Sequence, residues 1–581
     1  MLVFIVLVPS FADAEILYVR PLVPCANNGD GTAYGCAASP GAVGAYRGVA
    51  QVAWGAGAGQ VSNGDTLYIC GYHDGGAPLD HSLTPTTNAI IDGNCPSDAG
   101  TFLSVFIKFT SGWSGPDAFG AYTINPTSGC PFHMAQVVNG VITYLNGKNG
   151  GKQEVPDGDW VAGDWSQPGG CSTAYYVKPL NGVSANSATF YTENDNGITV
   201  TNVAVTIRNL TINGLVYNDC IILTNADGST ITGNTITKCA LDAISIRTSD
   251  NVTITNNNIS NAGNGLYFYS ATTANNNNNA LVTGNTIHDL DQQRFFSNFT
   301  TDNHAIGIQG GDNGLYTLNV MSHLAGSCIT FYTEAGQSQK NNRIASNTCT
   351  DVNDLSGLSP LNQYGIEHGS TNAGHVANDV VNNVVIGNVL DSVGGTCFVV
   401  KPSHATVGRD LVVANNTGVS CGTGLKFSDS EDGDIGFVFR NNILFGATTN
   451  IDHIQNGSDS LVNIIINNNV YSTDSSTSFE WNGTKSNFAS WLTNSGQDAA
   501  SANGNPIFVG STDYRLGSTS PFRRAGVSGY VCLDVRGRPC WSPPDIGAYQ
   551  ATSGDPASTR SAASTRSAAS TRSAASARTA R

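Results

Sequence analysis

From Val205 to Tyr471 apolar residues alternate with polar ones at a period of two, in runs too short for helices and bounded by Asn or Gly. A period of two places successive side chains on opposite faces of a strand. The runs recur as imperfect units: VTIRNLTINGLVYNDCIIL, STITGNTITKCALDAISIR and VTITNNNISNAGNGLYFY, then LVTGNTIHDL, NRIASNTCTDV, VVNNVVIGNVLDSV, LVVANNTGVS and NIIINNNVYS. Each unit reads as a strand, an Asn-containing corner, a second strand, a small residue and a third strand. Repeats of this length imply stacked units that share one continuous core. Asn and Gly tolerate the left-handed corner conformation, and stacked Asn corners predict amide ladders along the axis. Leucine-rich repeats and propellers fit neither the unit length nor the pattern.

Aligning the units on the small residue before the third strand gives Cys220, Ala243, Gly265, Ala305, Cys328, Gly365, Cys397 and Gly424. The next residue is predicted to point inward, forming a ladder of Ile221, Ile244, Leu266, Ile306, Ile329 and Ile366. Two outward rows follow. The first runs Ile222, Ser245, Tyr267, Gly307, Thr330, Glu367, Val399, Lys426; the second runs Thr224, Arg247, Tyr269, Gln309, Tyr332, Gly369, Lys401, Ser428. Three spacings are long, at 40 residues into Ala305, 37 into Gly365 and 32 into Cys397. The extra length falls mainly in His288–Asn303 and Thr350–Gln363, where corner loops would wall a cleft over the face; insertions without function fit the same lengths.

The flanks are less regular. Met1–Ala14 has an apolar stretch ending Ala12-Asp13-Ala14 and reads as a signal peptide. Residues 15–204 read as an N-terminal cap and early coils, interrupted by an insertion near Gly129–Val183. The regular array covers 205–471, a closing segment 472–550, and 551–581 is a low-complexity Arg/Ser/Ala tail.

The chain of 581 residues has 66 Gly, 12% charged residues and a net charge of −16. Such an acidic body disfavours nucleic acid, and no apolar run after the N-terminus approaches the ~20 residues of a membrane span. The 14 Cys support export, and no C-x-x-C occurs to suggest zinc. Cys220/Cys239, Cys328/Cys349 and Cys397/Cys421 are separated by about one unit, as bridges between neighbouring turns or as buried thiols. Cys532/Cys540 is a local pair.

The repeat resembles the right-handed parallel β-helix of the pectate-lyase-like superfamily. Leu17-Tyr18-Val19 and Gly64-Asp65-Thr66-Leu67-Tyr68 are similar to the opening of secreted members. Trp491, Gly496-Gln497-Asp498, Asn505-Pro506-Ile507-Phe508, Ser520-Pro521 and Pro544-Asp545-Ile546-Gly547-Ala548-Tyr549 are similar to their closing segment. The resemblance spans about Glu15 to Gln550. It implies an all-β solenoid, secretion and a polysaccharide partner.

The outward rows suit a sugar chain. Tyr267, Tyr269 and Tyr332 can stack on sugar faces, Gln309 can hydrogen-bond, and Arg247, Lys401 and Lys426 can pair with uronate carboxylates. An ordinary solvated strand face fits the same residues. A lyase needs a base and a neutraliser of the uronate carboxylate. Superfamily lyases use Lys or Arg as base, which points to Lys401 or Arg247; Lys401 is expected to be the base, with Arg247, Gln309 and Tyr332 binding substrate and His304 or His368 the next bases to consider. Glu367 would orient substrate or hold a cation. A glycosidase needs two flanking carboxylates; Glu367, Glu334 and Asp302 are available, but the paired-Asp motifs of β-helical polygalacturonases are missing. Tyr364-Gly365-Ile366-Glu367-His368 is faintly similar to an epimerase motif, without its Pro and with Glu for Asp. Calcium could serve as cofactor, with oxygen ligands at Asp429-Ser430-Glu431-Asp432-Gly433-Asp434, which lacks the full EF-hand loop. The expectation is a lyase on a uronate polysaccharide, with a glycoside hydrolase or a non-catalytic adhesive surface as alternatives.

Overall fold

The computed structural model describes most of residues 14–550. Stretches 1–13, 22–24, 74–82, 217–218, 271–276, 291–302, 334–336, 354–362, 371–379, 402–410, 429–435, 455–463, 530–531 and 551–581 lie outside the described residues, with a few single positions and much of 97–196 between its strands.

Three sheets of 14, 13 and 12 strands run along the array, parallel except for the last pair of the 12-stranded one, Phe479–Trp481 with Thr484–Ser486. Each turn contributes one strand to each, as in Thr253–Thr255, Asn258–Ser260 and Asn264–Tyr269. This is the all-β right-handed parallel β-helix that the repeat predicts. The third sheet, with 12 strands, carries the predicted face. A separate seven-stranded sheet is built by strands between Phe106 and Glu193, most of its pairs antiparallel.

The inward ladder has the expected register: Ile221 pairs with Ile244, then Leu266, Ile306, Ile329 and Ile366, all buried. The preceding small residues are required by the stack. A Cβ on Gly265 would sit 2.5 Å from the Ala305 carbonyl oxygen and 2.7 Å from Ile287, and one on Gly365 would meet Cys397 and Leu390 as closely.

The Asn ladder occupies the corner between the first and second sheets. Asn234, Asn257, Asn285, Asn319, Asn347, Asn388, Asn416, Asn442 and Asn469 are buried, each Nδ2 donating to the next Oδ1 at 2.9–3.2 Å. The residue before each takes a positive φ, such as Asn256 at 56° and Asn441 at 56°. That turns the chain through the corner and aims the following amide along the axis.

The four anticipated cysteine pairs are disulfides, with Cα separations of 5.6 Å for Cys220–Cys239, 6.2 Å for Cys328–Cys349, 5.8 Å for Cys397–Cys421 and 5.3 Å for Cys532–Cys540. Cys25–Cys36 and Cys70–Cys95 add two more near the start. At the far end, the helix Phe488–Ser495 packs Trp491 into the core. Buried Asp498 accepts hydrogen bonds from Trp491 Nε1 and Tyr471 Oη, each at 2.9 Å.

Candidate functional site

Both outward rows of the third sheet form in the expected register. Ser245, Tyr267, Gly307, Thr330, Glu367, Val399 and Lys426 stack in one; Arg247, Tyr269, Gln309, Tyr332, Gly369 and Lys401 stack in the other. Their exposures differ. Ser245, Thr330, Glu367 and Val399 are buried although they point away from the core. In the second row Tyr269 is 39% exposed and the Arg247 side chain 44%. The second row is open at Tyr269 and Arg247 and buried at Gln309 between Tyr269 and Tyr332.

The tightest cluster lies around Gly307. Tyr267 leans across this residue, and a Cβ there would stand 2.7 Å from the ring carbon Cδ2. The lean lets the Tyr267 hydroxyl meet that of Tyr332, two coils away, in a short hydrogen bond. Both hydroxyls also reach Gln309 Oε1, at 3.3 Å from Tyr267 and 3.2 Å from Tyr332. Gln309 is buried and both tyrosines are half-buried. His304 borders the same space: its Cδ2 lies 3.3 Å from that Cβ position, and its Nδ1 is 3.2 Å from Thr330 Oγ1. His304, Tyr267, Gln309 and Tyr332 thus converge, with buried Glu367 one coil beyond Thr330.

His368 does not join them. A strand alternates faces, so the neighbour of outward Glu367 must point inward. His368 stacks on Phe331, 6.2 Å between centroids, and its Nε2 is 3.0 Å from Asn383 Nδ2. Burial pushes its pKa down to about 4, so the ring is neutral in the core. The expectation of His368 as a base at the face is corrected on this ground.

Arg247 lies apart. It pairs with Asp219 at 2.8 Å, three coils from the Tyr332 strand. Lys426 is at the other end, 4.0 Å from Asp452. The Lys401 backbone pairs with Gly369, but its side chain lies outside the described residues. So do Glu334, Asp302, Arg294, Phe295, Phe296 and the acidic stretch 429–434, together with the central parts of both long loops. Among the described residues no three His, Cys, Asp or Glu side chains gather to hold a metal.

A third row was missed by the two-row reading. The residue before each small one is Asp219, Asp242, Asn264, His304, Ser327, Tyr364, Thr396 and Thr423, polar in all eight coils. That uniform polarity was the available signal. Asp219 Oδ1 accepts from the Asp242 backbone N–H at 3.1 Å, Asn264 Nδ2 donates to Asp242 Oδ1 at 2.9 Å, and Asn264 Oδ1 accepts from the His304 N–H at 2.8 Å. Burial, then the charge of Asp219, holds the Asp242 carboxyl well above the usual range. Asp219 is raised by burial, against the opposing pull of Arg247. Two carboxyls this close in low dielectric favour retaining a proton between them.

The family model for a right-handed β-helix region matches residues 169–289 and 196–400. Over these residues the chain carries a right-handed parallel β-helix. Among solved structures, a complex of XylC with xylose is 12% identical, with a TM-score of 0.51 over 79% of this chain and 83% of that one. Pectate lyase Pel9A is 14% identical, with a TM-score of 0.36 over 61% and 80%. An alginate lyase from Paenibacillus sp. str. FPU-7 is 14% identical, with a TM-score of 0.30 over 46% and 92%. No curated protein matches the sequence.

Proposed function

We propose that this is an exported protein that binds a uronate-containing polysaccharide along the third sheet and cleaves it by β-elimination. The observation that carries the reading is the convergence of His304, Tyr267, Gln309 and Tyr332 around Gly307. Six described disulfides suit an oxidising compartment. No helix of the described residues is long and apolar enough to cross a membrane.

Elimination takes the proton α to the uronate carboxylate, breaks the bond to the leaving glycosidic oxygen and forms a carbon–carbon double bond in its place. The leaving oxygen collects a proton. The His304 imidazole, braced at Nδ1 by Thr330, is the proton acceptor. The Tyr267–Tyr332 pair supplies the proton to the leaving oxygen. Three oxygens, two phenolic and one amide, share two hydroxyl protons, so one phenol can donate while the other keeps it oriented. Lys401 in the second row and Lys426 in the first, together with Arg247, supply positive charge along the chain path. Glu367, buried one coil beyond Thr330, orients substrate.

A second reading has its own support. Asp219 and Asp242 are buried carboxyls with raised pKa values, beside an Arg on the same sheet. A carboxyl whose pKa burial raises is the kind of group a hydrolase uses as general acid. Incubation with a panel of polysaccharides separates the readings. Ultraviolet absorbance of an unsaturated product rising together with reducing ends supports elimination; reducing ends alone support hydrolysis. Retention without either product supports an adhesive surface.

A further inference from the structure

The second sheet, with 13 strands, is covered along only part of its length. The outward residues that open its strands form one row: Thr235, Asn258, Thr286, Val320 and Thr348, then Val389, Thr417, Ile443 and Val470. The last four are buried, the first four are exposed and Thr348 is half-buried. The row just before the Asn ladder switches at the same place. Gly233, Asn256 and Leu318 are exposed, whereas Ser346, Asn415 and Asn441 are buried. The cover is the closing segment. Tyr514 and Ala548 pack in one cluster with Val389, Leu516 and Ile546 in another with Ile443 and Val470, and Ser346 Oγ donates to the Asp534 carbonyl.

The cover stops where an apolar pair begins. Leu318 and Val320 are 42% and 46% exposed on one coil, in rows otherwise made of Thr, Asn and Gly on the open side. The chain leaves the closing segment heading toward them. The Gly547 N–H donates to the Asn441 carbonyl, the Ala548 N–H donates to Thr417 Oγ1 one coil back, and Tyr549 packs with the Val389 cluster one coil further back. After Gln550 come 31 residues, five of them Arg, one Asp, and the rest Ala, Ser, Thr, Gly and Pro. The open row from Thr348 back to Thr211 is about 24 Å long at the usual strand spacing, and 31 extended residues span about 100 Å. Small side chains can lie flat on a face of Thr and Asn. Charge favours the same occupant, since the tail is basic and the whole chain carries −16. The strands that open with Thr286 and Thr348 also carry Asp289 and Asp351, 53% and 39% exposed, with His323 between them.

We propose that residues 551–581 continue the path of the closing segment and dock on the open part of the second sheet, over Leu318 and Val320 and on toward Thr235. The tail covers the apolar pair, and its Arg side chains lie near Asp289 and Asp351. Because the tail is joined to the face it covers, weak contacts suffice to hold it there. The contribution of the Arg side chains is to exposed carboxylates, so salt weakens the docking.

The test is digestion of the full chain by an arginine-specific protease, with mass spectrometry following the cuts after Arg560, Arg566 and Arg572. The reference is a synthetic peptide of residues 551–581. The proposal expects these cuts to be at least about tenfold slower in the folded chain than in the peptide, with the protection shrinking as salt is raised. Leu318→Asn combined with Val320→Lys removes the apolar pair and adds a repelling charge; Asn suits the φ of 57° at position 318. Thr286→Lys, one coil further along the open row, is the second variant. Both should be cut at close to the peptide's rate while circular dichroism shows the body folded. Val43→Lys, 70% exposed and outside the second sheet, should keep full protection. Wild-type cutting at the peptide's rate overturns the proposal, as does equal protection in the wild type and both variants. Protection that grows with protein concentration also overturns it, because the tail would then dock on a second copy. The readout involves no polysaccharide, so it is separate from the test of elimination at the third sheet.

Discussion

The hydroxyls of Tyr267 and Tyr332 meet across an intervening coil, over a residue that has no side chain. Tyr267 pairs with Gly307 in the ladder, and Gly307 pairs with Thr330, so the two phenols belong to strands two apart. Strands in a sheet are about 4.8 Å apart, so an upright Tyr267 would not reach. It reaches because Gly307 lets the ring lie down. Gly307→Ala should therefore separate the hydroxyls while sparing the core below. The expected result is a loss of turnover of about tenfold or more, with an unfolding temperature within a few degrees of wild type. Activity assays and thermal unfolding on the same preparation check it.

The Asn ladder predicts a large cost at its centre. Asn319 Oδ1 accepts from both the backbone N–H and the Nδ2 of Asn285, at 3.1 and 3.0 Å, and all three groups are buried. Asn319→Ala leaves two donors of the neighbouring coil unsatisfied and removes the bond to Asn347. Stranded buried donors cost about 1–3 kcal/mol each. A loss of about 2–4 kcal/mol in denaturant unfolding is expected, well above that of Asn279→Ala on the exposed surface of the preceding turn.

His368 predicts a pH dependence with a definite sign. Its folded pKa of about 4 lies below the usual 6.5. Between those values the unfolded chain binds a proton that the folded chain refuses, so stability falls as pH drops through the window. Below 4 both states are protonated and the loss is complete, at about 3 kcal/mol. His368→Gln keeps a partner for Asn383 and removes the titration. The difference in unfolding free energy between wild type and variant should shrink from pH 7 to pH 4; a constant difference would place the ring in solvent.

Arg247 and Asp219 predict a binding effect without a chemical one. The guanidinium sits three coils from Tyr332, held by a buried carboxylate. Arg247→Ala should raise KM for long uronate chains by about tenfold and leave kcat within twofold. Chains too short to span the coils should show neither change.

The legible part of this protein was the part governed by repetition. Alternation of apolar residues, a small residue before the third strand and Asn at one corner each recur in every turn. A register read from them carried Ile221 through Ile366 and both outward rows into the structure. The site was less legible because its geometry depends on how side chains lean between turns. No spacing rule says that Tyr267 crosses Gly307 to meet Tyr332. His368 shows the opposite failure: chemical type drew it into the site, while the alternation already in hand placed it inside. Asp219 and Asp242 sit one residue before the small position, where the two-row reading stopped.

The central claim is that chemistry occurs by elimination at the cluster around Gly307. The most direct test follows ultraviolet absorbance and reducing ends together during digestion of alginate and polygalacturonate by wild type, Tyr332→Phe and His304→Gln. The account predicts that both signals rise in proportion for the wild type on one of these polymers. Each variant should lose at least a hundredfold in turnover, within the range general acid–base groups contribute. Reducing ends without absorbance, or wild-type turnover in both variants, would contradict it.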